Sequence, residues 1–180
     1  MTGVPSLTTP RFTMRPLRRT DAAALFPTLS DPHQCRYLSR EAFADEAELH
    51  SWLADPDWPG RTWIAEDAAG VAGRFVAMPA HEEGVIEVGY ITCAHRQREG
   101  VARECMAALI NHLFTAPIGE GPTEQGTARK LIAVVDCENP ASARTAERLG
   151  FVREAHFREH ETTHEGLRDV WVYGLLAREW

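Results

Sequence analysis

Positive charge is what this chain is shortest of: 19 lysines and arginines stand against 26 aspartates and glutamates, for a net charge of −7. A surface of that sign does not neutralise a run of phosphates, which excludes a general nucleic-acid binder but leaves room for a local basic pocket. Paired cysteines are missing too. Cys35, Cys93, Cys105 and Cys137 form no CxxC pair and have no histidine in zinc-finger register, so they read as reduced, buried thiols, and no metal is expected. The longest apolar run, VWVYGLLA, is far short of the roughly 20 residues a membrane helix needs, and MTGVPSLTTPRFTMRPLRR lacks the apolar core of a signal peptide. A cytoplasmic location with no membrane partner is the expectation. Neither GxxxxGK(S/T) nor GxGxxG occurs, which disfavours a Walker-type loop and a dinucleotide fold.

What is present is globular: 44% hydrophobic and 25% charged residues with five tryptophans, enough for residues 1–180 to form one domain around one core. Phe12 to Leu17 alternates up to Pro16 and predicts a short edge strand, and Asp21 is placed to cap a first helix over AAALF. A second helix is expected over residues 46–53, ended by DPDWPG. TWIAE, VAGRFVAM and VIEVGYI, separated by the turns DAAG and HEEG, predict a three-stranded antiparallel meander over residues 62–91.

From Gly100 the period changes to that of a helix, with Val101, Cys105, Ala108, Leu109 and Leu113 on one stripe. PIGEGPTEQGTA predicts a long surface loop, and LIAVVD a strand covered on both faces. NPASARTAERLG carries start and stop signals of a short helix: Asn139 as cap, Pro140 at the first position, Gly150 just past the end. Two more strands close the chain. The whole predicts a mixed α/β layer, a mostly antiparallel sheet whose one parallel pair is VIEVGYI with LIAVVD.

QREGVA joins the strand VIEVGYI to the helix after Gly100. The first N–H groups of a helix have no intrahelical partners and carry partial positive charge, so a strand-to-helix turn free of bulky side chains suits a phosphate. Arg96, Arg98 and Arg103 stand around it in an otherwise acidic chain. A solvated basic helix start is the competing interpretation.

EVGYI, QREGVA, LIAVVDCENPASARTAERLGF and RDVWVYGLLAREW, in that order, resemble the GNAT acyltransferase superfamily. NPxS, ERLGF, the closing LLxxEW and the opening FTMRPL are similar to its RimJ/RimL-like N-acetyltransferase group. The long PIGEGPTEQGTA loop departs from that pattern. The resemblance implies acetyl-CoA as co-substrate. Its diphosphate would be held by Gln97, Arg98, Gly100, Val101, Ala102 and Arg103. Its pantetheine arm would enter between two parallel strands that splay after a bulge, pairing with backbone near Ile91 and Thr92, with Asn139 binding the arm. The N–H of Ile91 is the implied donor to the thioester oxygen.

Transfer of an acyl group to an amine needs the amine neutral, an oxyanion stabilised and a proton returned to the departing thiolate. Glu87 alternates with Ile86 and Val88 and so faces away from that apolar pair, as a base or as a partner of an arginine. Ser142 is a candidate acid, cofactor ligand or capping residue, and Tyr173 the competing acid or a packed strand tyrosine. Cys137 needs no role, because direct transfer requires no protein nucleophile. His156, His160 and His164 repeat every four residues, but Val152 and Phe157 favour a strand that turns near Thr162, with the polar face lining an acceptor groove. Trp52, Trp58 and Trp63 are candidates for its wall. The expected activity is acetyl transfer to a primary amine, a small molecule or a protein N-terminus, by a monomer or homodimer. The competing class is a non-catalytic acyl-CoA sensor.

Overall fold

The computed structural model describes residues 4–117 and 127–180. The strands are β1 (Leu7–Thr8), β2 (Thr13–Pro16), β3 (Arg61–Asp67), β4 (Gly70–Pro79), β5 (Val85–Thr92), β6 (Lys130–Asp136), β7 (Val152–Thr163) and β8 (Gly166–Leu176). They form one sheet in the order β1-β2-β3-β4-β5-β6-β8-β7. Every neighbouring pair is antiparallel except β5 with β6. The helices are α1 (Asp21–Leu29), α2 (Pro32–Cys35), α3 (Glu46–Leu53), α4 (Val101–Thr115) and α5 (Pro140–Arg148). This is the expected mixed α/β layer with a single parallel pair.

Two cores follow from the two faces of the sheet. On one face α4 contributes Val101, Cys105, Met106, Leu109, Ile110 and Leu113, and α5 contributes Ala143 and Ala146, against Phe75, Val88, Leu131 and Tyr173. The spacing of three and four residues along α4 is what lets one stripe reach that core, each large side chain contributing about 1.5–3 kcal/mol. On the other face Leu25 and Leu29 of α1 and Leu49 and Leu53 of α3 pack on Ile64 and Cys93, with Ile91 partly covered. α5 starts and stops where its signals stand: Asn139 Oδ1 accepts from the Ser142 N–H at 3.1 Å, and Gly150 has φ 87°.

Several expectations need correction. Asp21 does not cap α1; it is the first helical residue, and its carboxylate accepts from the Arg18 N–H at 2.6 Å and from two Arg15 nitrogens at 2.8 Å each. The strand over Thr13–Pro16 is not the edge, because β1 pairs outside it. LIAVVD is not covered on both faces: Leu131 and Val135 are buried against the helices, whereas Ile132, Ala133 and Val134 are half-buried. Cys137 is half-buried, unlike the other three thiols, and all four are free. Of the PIGEGPTEQGTA loop, residues 118–126 lie outside the described residues.

One irregularity positions everything that follows. β5 and β6 pair only over Val85–Lys130, Ile86–Leu131 and Glu87–Ile132. Beyond that, β5 stays on β4 as far as Thr92 and β6 stays on β8 as far as Asp136, so the sheet opens between them. The expected bulge is not the cause. The β4–β5 register runs unbroken from Ile86 to Thr92, and the register shifts fall in the β3–β4 and β7–β8 pairs instead.

Candidate active site

The opening between β5 and β6 exposes one edge of each strand, and the hydrogen-bond register decides which peptides line it. Ala80 donates to the Val85 carbonyl at 3.0 Å and Cys93 to that of Ala72 at 2.9 Å. With no register shift between these two bonds, the alternation of an antiparallel ladder turns the peptides of Glu87, Gly89 and Ile91 toward β4. The Ile91 carbonyl lies so near Gly73 that a Cβ there would stand 2.5 Å from it. Ile91 is therefore not the donor available to the opening. The N–H and C=O groups of Val88, Tyr90 and Thr92 point there.

At the wide end of the opening the QREGVA turn leads into α4. Arg98 has φ 66° and Gly100 φ 81°, and no side chain caps the helix. The left-handed backbone at Gly100 is one that L side chains adopt only at a cost. The N–H of Glu104 is the first to find a carbonyl, that of Gly100, at 3.1 Å, which leaves the N–H groups of Val101, Ala102 and Arg103 as the unpaired donors of the first turn. Gln97 and Arg98 are exposed, and the Gln97 side-chain amide donates to Gln34 of α2 at 2.7 Å. Arg103 is exposed as well, lining a cleft of about 580 Å³ shared with Gly100, Arg148 and Trp180.

Arg96 leaves this group. It is buried and holds Asp67 at 2.7 Å and Glu99 at 2.8 Å, so it braces the turn from behind. Arg11, invisible to motif reasoning, supports the turn from another side: its Nε donates to Glu104 at 2.7 Å and its Nη2 to the Glu99 carbonyl at 2.9 Å. The sequence carried no signal for it, because its partners lie some ninety residues away.

Glu87 sits where the parallel pair ends, half-buried, on the α1/α3 face. Burial raises its carboxyl above the ordinary carboxylate value, and the negative charge of Glu161 on β7 raises it further. No ion pair to an arginine forms at Glu87 among the described residues. α2 spans the mouth of the opening on the same side. Gln34 reaches Gln97, and beyond the helix Arg36 holds Glu138 at 2.8 Å while the Tyr37 hydroxyl donates to the Glu138 carbonyl at 2.7 Å. Neither tie had a readable motif.

Asn139 and Ser142 stand at the start of α5, just past the end of β6. Asn139 Oδ1 is occupied by the Ser142 N–H, which leaves the amide nitrogen as its remaining donor, and the Ser142 side chain is half-buried. Tyr173 is not brought to Glu87. The pairing Glu87–Ile132–Gly174 puts its neighbour Tyr173 on the opposite, helix-covered face, 1% exposed, with the hydroxyl donating to Glu147 at 3.1 Å. Burial and that carboxylate hold the phenol above its usual value.

The tryptophans divide. Trp63 is a core residue with its indole N–H on the Pro5 carbonyl at 2.9 Å, whereas Trp52 and Trp58 are half-buried and flank Arg74. The histidines are spread along the β7–β8 hairpin: His156 lies 3.2 Å from Asp169, His160 packs on Phe157, and His164 stands in the turn after Thr163.

A parallel pair that opens beside an uncapped, glycine-started helix is matched by the family model described as Acetyltransferase (GNAT) domain, over residues 11–152. The chain belongs to the GNAT acetyltransferase family. Among relatives of this GNAT chain, an uncharacterized N-acetyltransferase of Bacillus licheniformis, p20, is 27% identical over 97% of this chain and 98% of its own length. A GCN5-related N-acetyltransferase from Brucella melitensis superposes with TM-score 0.81 at 26% identity, covering 98% of this chain and 80% of the other. Spermidine N-acetyltransferase from Vibrio cholerae, solved with CoA and spermine, superposes with TM-score 0.76 at 22% identity over 94% and 97%, a likeness of fold.

Family membership carries acetyl-CoA-dependent acetyltransferase activity in general. The residues present suit that donor: three unpaired N–H groups at the start of α4 match a diphosphate, and the unpaired peptides of β5 match an amide-bearing arm.

Proposed function

We propose that the chain moves an acetyl group directly from acetyl-CoA to a primary amine, with Glu87 as the base. The observation that carries this is a half-buried carboxyl of raised pKa, paired with no cation among the described residues, at the point where β5 and β6 part. Gln97, Arg98, Gly100, Val101, Ala102 and Arg103 would hold the diphosphate, largely through backbone. Thr92 and Tyr90 would pair with the arm and Asn139 would donate its side-chain amide to it. Bound there, acetyl-CoA supplies a thioester carbonyl open to attack by an amine.

The chain's own work is on protons and charge. An amine enters as an ammonium ion and is not nucleophilic until Glu87 Oε takes its proton, directly or through water. The raised pKa makes Glu87 a stronger base than an ordinary carboxylate. An N–H of the β5 edge is the fixed donor to the carbonyl oxygen. Ser142 Oγ, in the first turn of α5, is the proposed proton donor to the departing sulfur, since the Tyr173 hydroxyl is engaged by Glu147 on the far face.

The similarity of NPxS, ERLGF and LLxxEW to the RimJ/RimL-like group favours a protein N-terminal amine as one acceptor, and a small amine is the other. Coenzyme A release across amines and N-terminal peptides tests the reading. Glu87→Gln should lower kcat at least tenfold while the acetyl-CoA Kd stays within twofold. Unchanged turnover across pH would remove Glu87 from this role.

A further inference from the structure

Glu87 stands beside apolar side chains that belong to neither core. Its cross-strand neighbours are Met78 of β4 and Ile132 of β6, both half-buried. Register partners share a face of a sheet, and so do residues two apart on one strand. Val134 therefore follows Ile132 on the face of Glu87. The pairs Ile132–Gly174 and Val134–Val172 carry that face onto β8, and Val172–Ala155 carries it onto β7. Ile132, Val134, Val172 and Ala155 are half-buried, and none of them packs into the core under α1 and α3 or the core under α4 and α5. The strip also meets the opening in the sheet, since Gly89 and Val134 are the first residues on this face past the last β5–β6 pair, Glu87–Ile132.

Charge is confined to the two ends of the strip. At one end Lys130 holds Glu154, whose carboxylate lies where a Gly174 side chain would stand. At the other Arg168 holds Asp136 at 2.7 Å and Glu138 at 2.9 Å, and Glu161 stands opposite Arg168 in the ladder. Between these ends, among the described residues, the register puts one ionisable side chain on this face of β5, β6 and β8, that of Glu87. From Ile132 to Val134 is about 7 Å of strand and from β6 to β8 about 5 Å, room for a ring or a chain of a few carbons. Half-covered apolar surface of this size beside a lone polar group is what a small-molecule site offers.

We infer that the acceptor is a small primary amine on an uncharged apolar body, an alkyl or aralkyl amine, with that body on Ile132, Val134 and Val172 and its ammonium at Glu87. This rests on the acetyl-transfer reading above and narrows its substrate. The charge pattern decides the class, because one carboxyl matches one ammonium. A diamine or polyamine would set a second cation on apolar side chains. An amino acid would set its carboxylate against Glu87 and against Glu161, whose charge already reaches Glu87. A protein N-terminus would lay peptide groups on alkyl side chains, which offer them no hydrogen-bond partner.

The test separates binding from turnover. Pentylamine, cadaverine and ω-aminopentanoic acid share one chain length and differ at the far end, which is methyl, ammonium or carboxylate. Phenethylamine and phenylalanine differ by one carboxylate. Each is titrated calorimetrically into protein saturated with coenzyme A, and coenzyme A release from acetyl-CoA is then measured with each. Pentylamine and phenethylamine should bind at least tenfold tighter than their charged counterparts and lead in kcat/KM in the same order. Val134→Thr combined with Val172→Thr keeps the shape of the strip and makes it polar. That variant should raise KM for the two apolar amines about tenfold, with acetyl-CoA Kd within twofold. Tighter binding of cadaverine or of either acid, or KM values that the double variant leaves unmoved, overturns the inference. So does a dimer in sedimentation that the double variant dissociates, which would make the strip an interface between copies. Apolar preference in binding with no coenzyme A release from any amine would sink the transfer reading and leave the apolar site standing. Release from all of the amines at equal kcat/KM would do the reverse.

Discussion

At the residue scale the decisive groups are those whose surroundings oppose their charge. Glu87 ionises against burial and against Glu161. As a base it works only when deprotonated, so kcat/KM should fall as pH drops through its raised pKa. Glu161→Gln removes one of the two causes and should move that acidic limb to lower pH, by less than the full shift because burial remains. A pH profile that does not move would contradict this. Stability runs the opposite way: a carboxyl whose pKa is raised by folding contributes stability that is complete below its unfolded value and lost as pH rises through its folded one. Glu87→Gln should therefore lose turnover without losing stability at neutral pH, measured by denaturant titration. Gly100 is the other exacting position. With φ 81°, Gly100→Ala should cost about 1 kcal/mol in strain and weaken acetyl-CoA binding, read by calorimetry.

At the element scale the fold is braced by polar ties as well as by packing. Arg15 and Asp21 join β2 to α1 with side chains 7% and 3% exposed, and Glu66 closes the group from β3. Asp21→Ala would leave Arg15 buried beside Glu66 alone and should cost about 3–5 kcal/mol in a urea melt. The α5 cap is a smaller matter: Asn139→Ala removes one side-chain bond to the helix start, a loss of about 1 kcal/mol. These elements were legible to different degrees. α4 and α5 could be read because periodicity and end signals are local, as in Val101, Cys105, Leu109, Asn139 and Gly150. Asp21 misled because an aspartate before AAALF has the form of a cap, and its true partner, Arg15, is fixed by tertiary contact. LIAVVD misled because a continuous apolar run does not say that its neighbour strand departs after three pairs.

At the scale of the whole molecule, function follows from one break in the sheet. β5 and β6 each follow an antiparallel partner and part from one another, and α4 begins where the gap is widest. The order of motifs revealed the family, and QREGVA revealed where the helix start would lie. Which peptides face the gap was not legible, since it depends on ladder phase: Ile91 and Thr92 are neighbours in sequence and opposite in direction. Arg74 was visible as a charge inside VAGRFVAM, yet only the fold shows that it is buried and holds no carboxylate among the described residues. Acetyl-CoA at about 100 times its Kd should stabilise the folded chain by roughly 2.7 kcal/mol, seen as a rise in Tm.

The most direct test of the proposed donor site is a crystal structure of the chain with acetyl-CoA. Diphosphate oxygens within hydrogen-bond distance of the Val101, Ala102 and Arg103 N–H groups, with the arm lying between β5 and β6, is the predicted result. Density for the donor elsewhere, or strands paired shut along that gap, would contradict it.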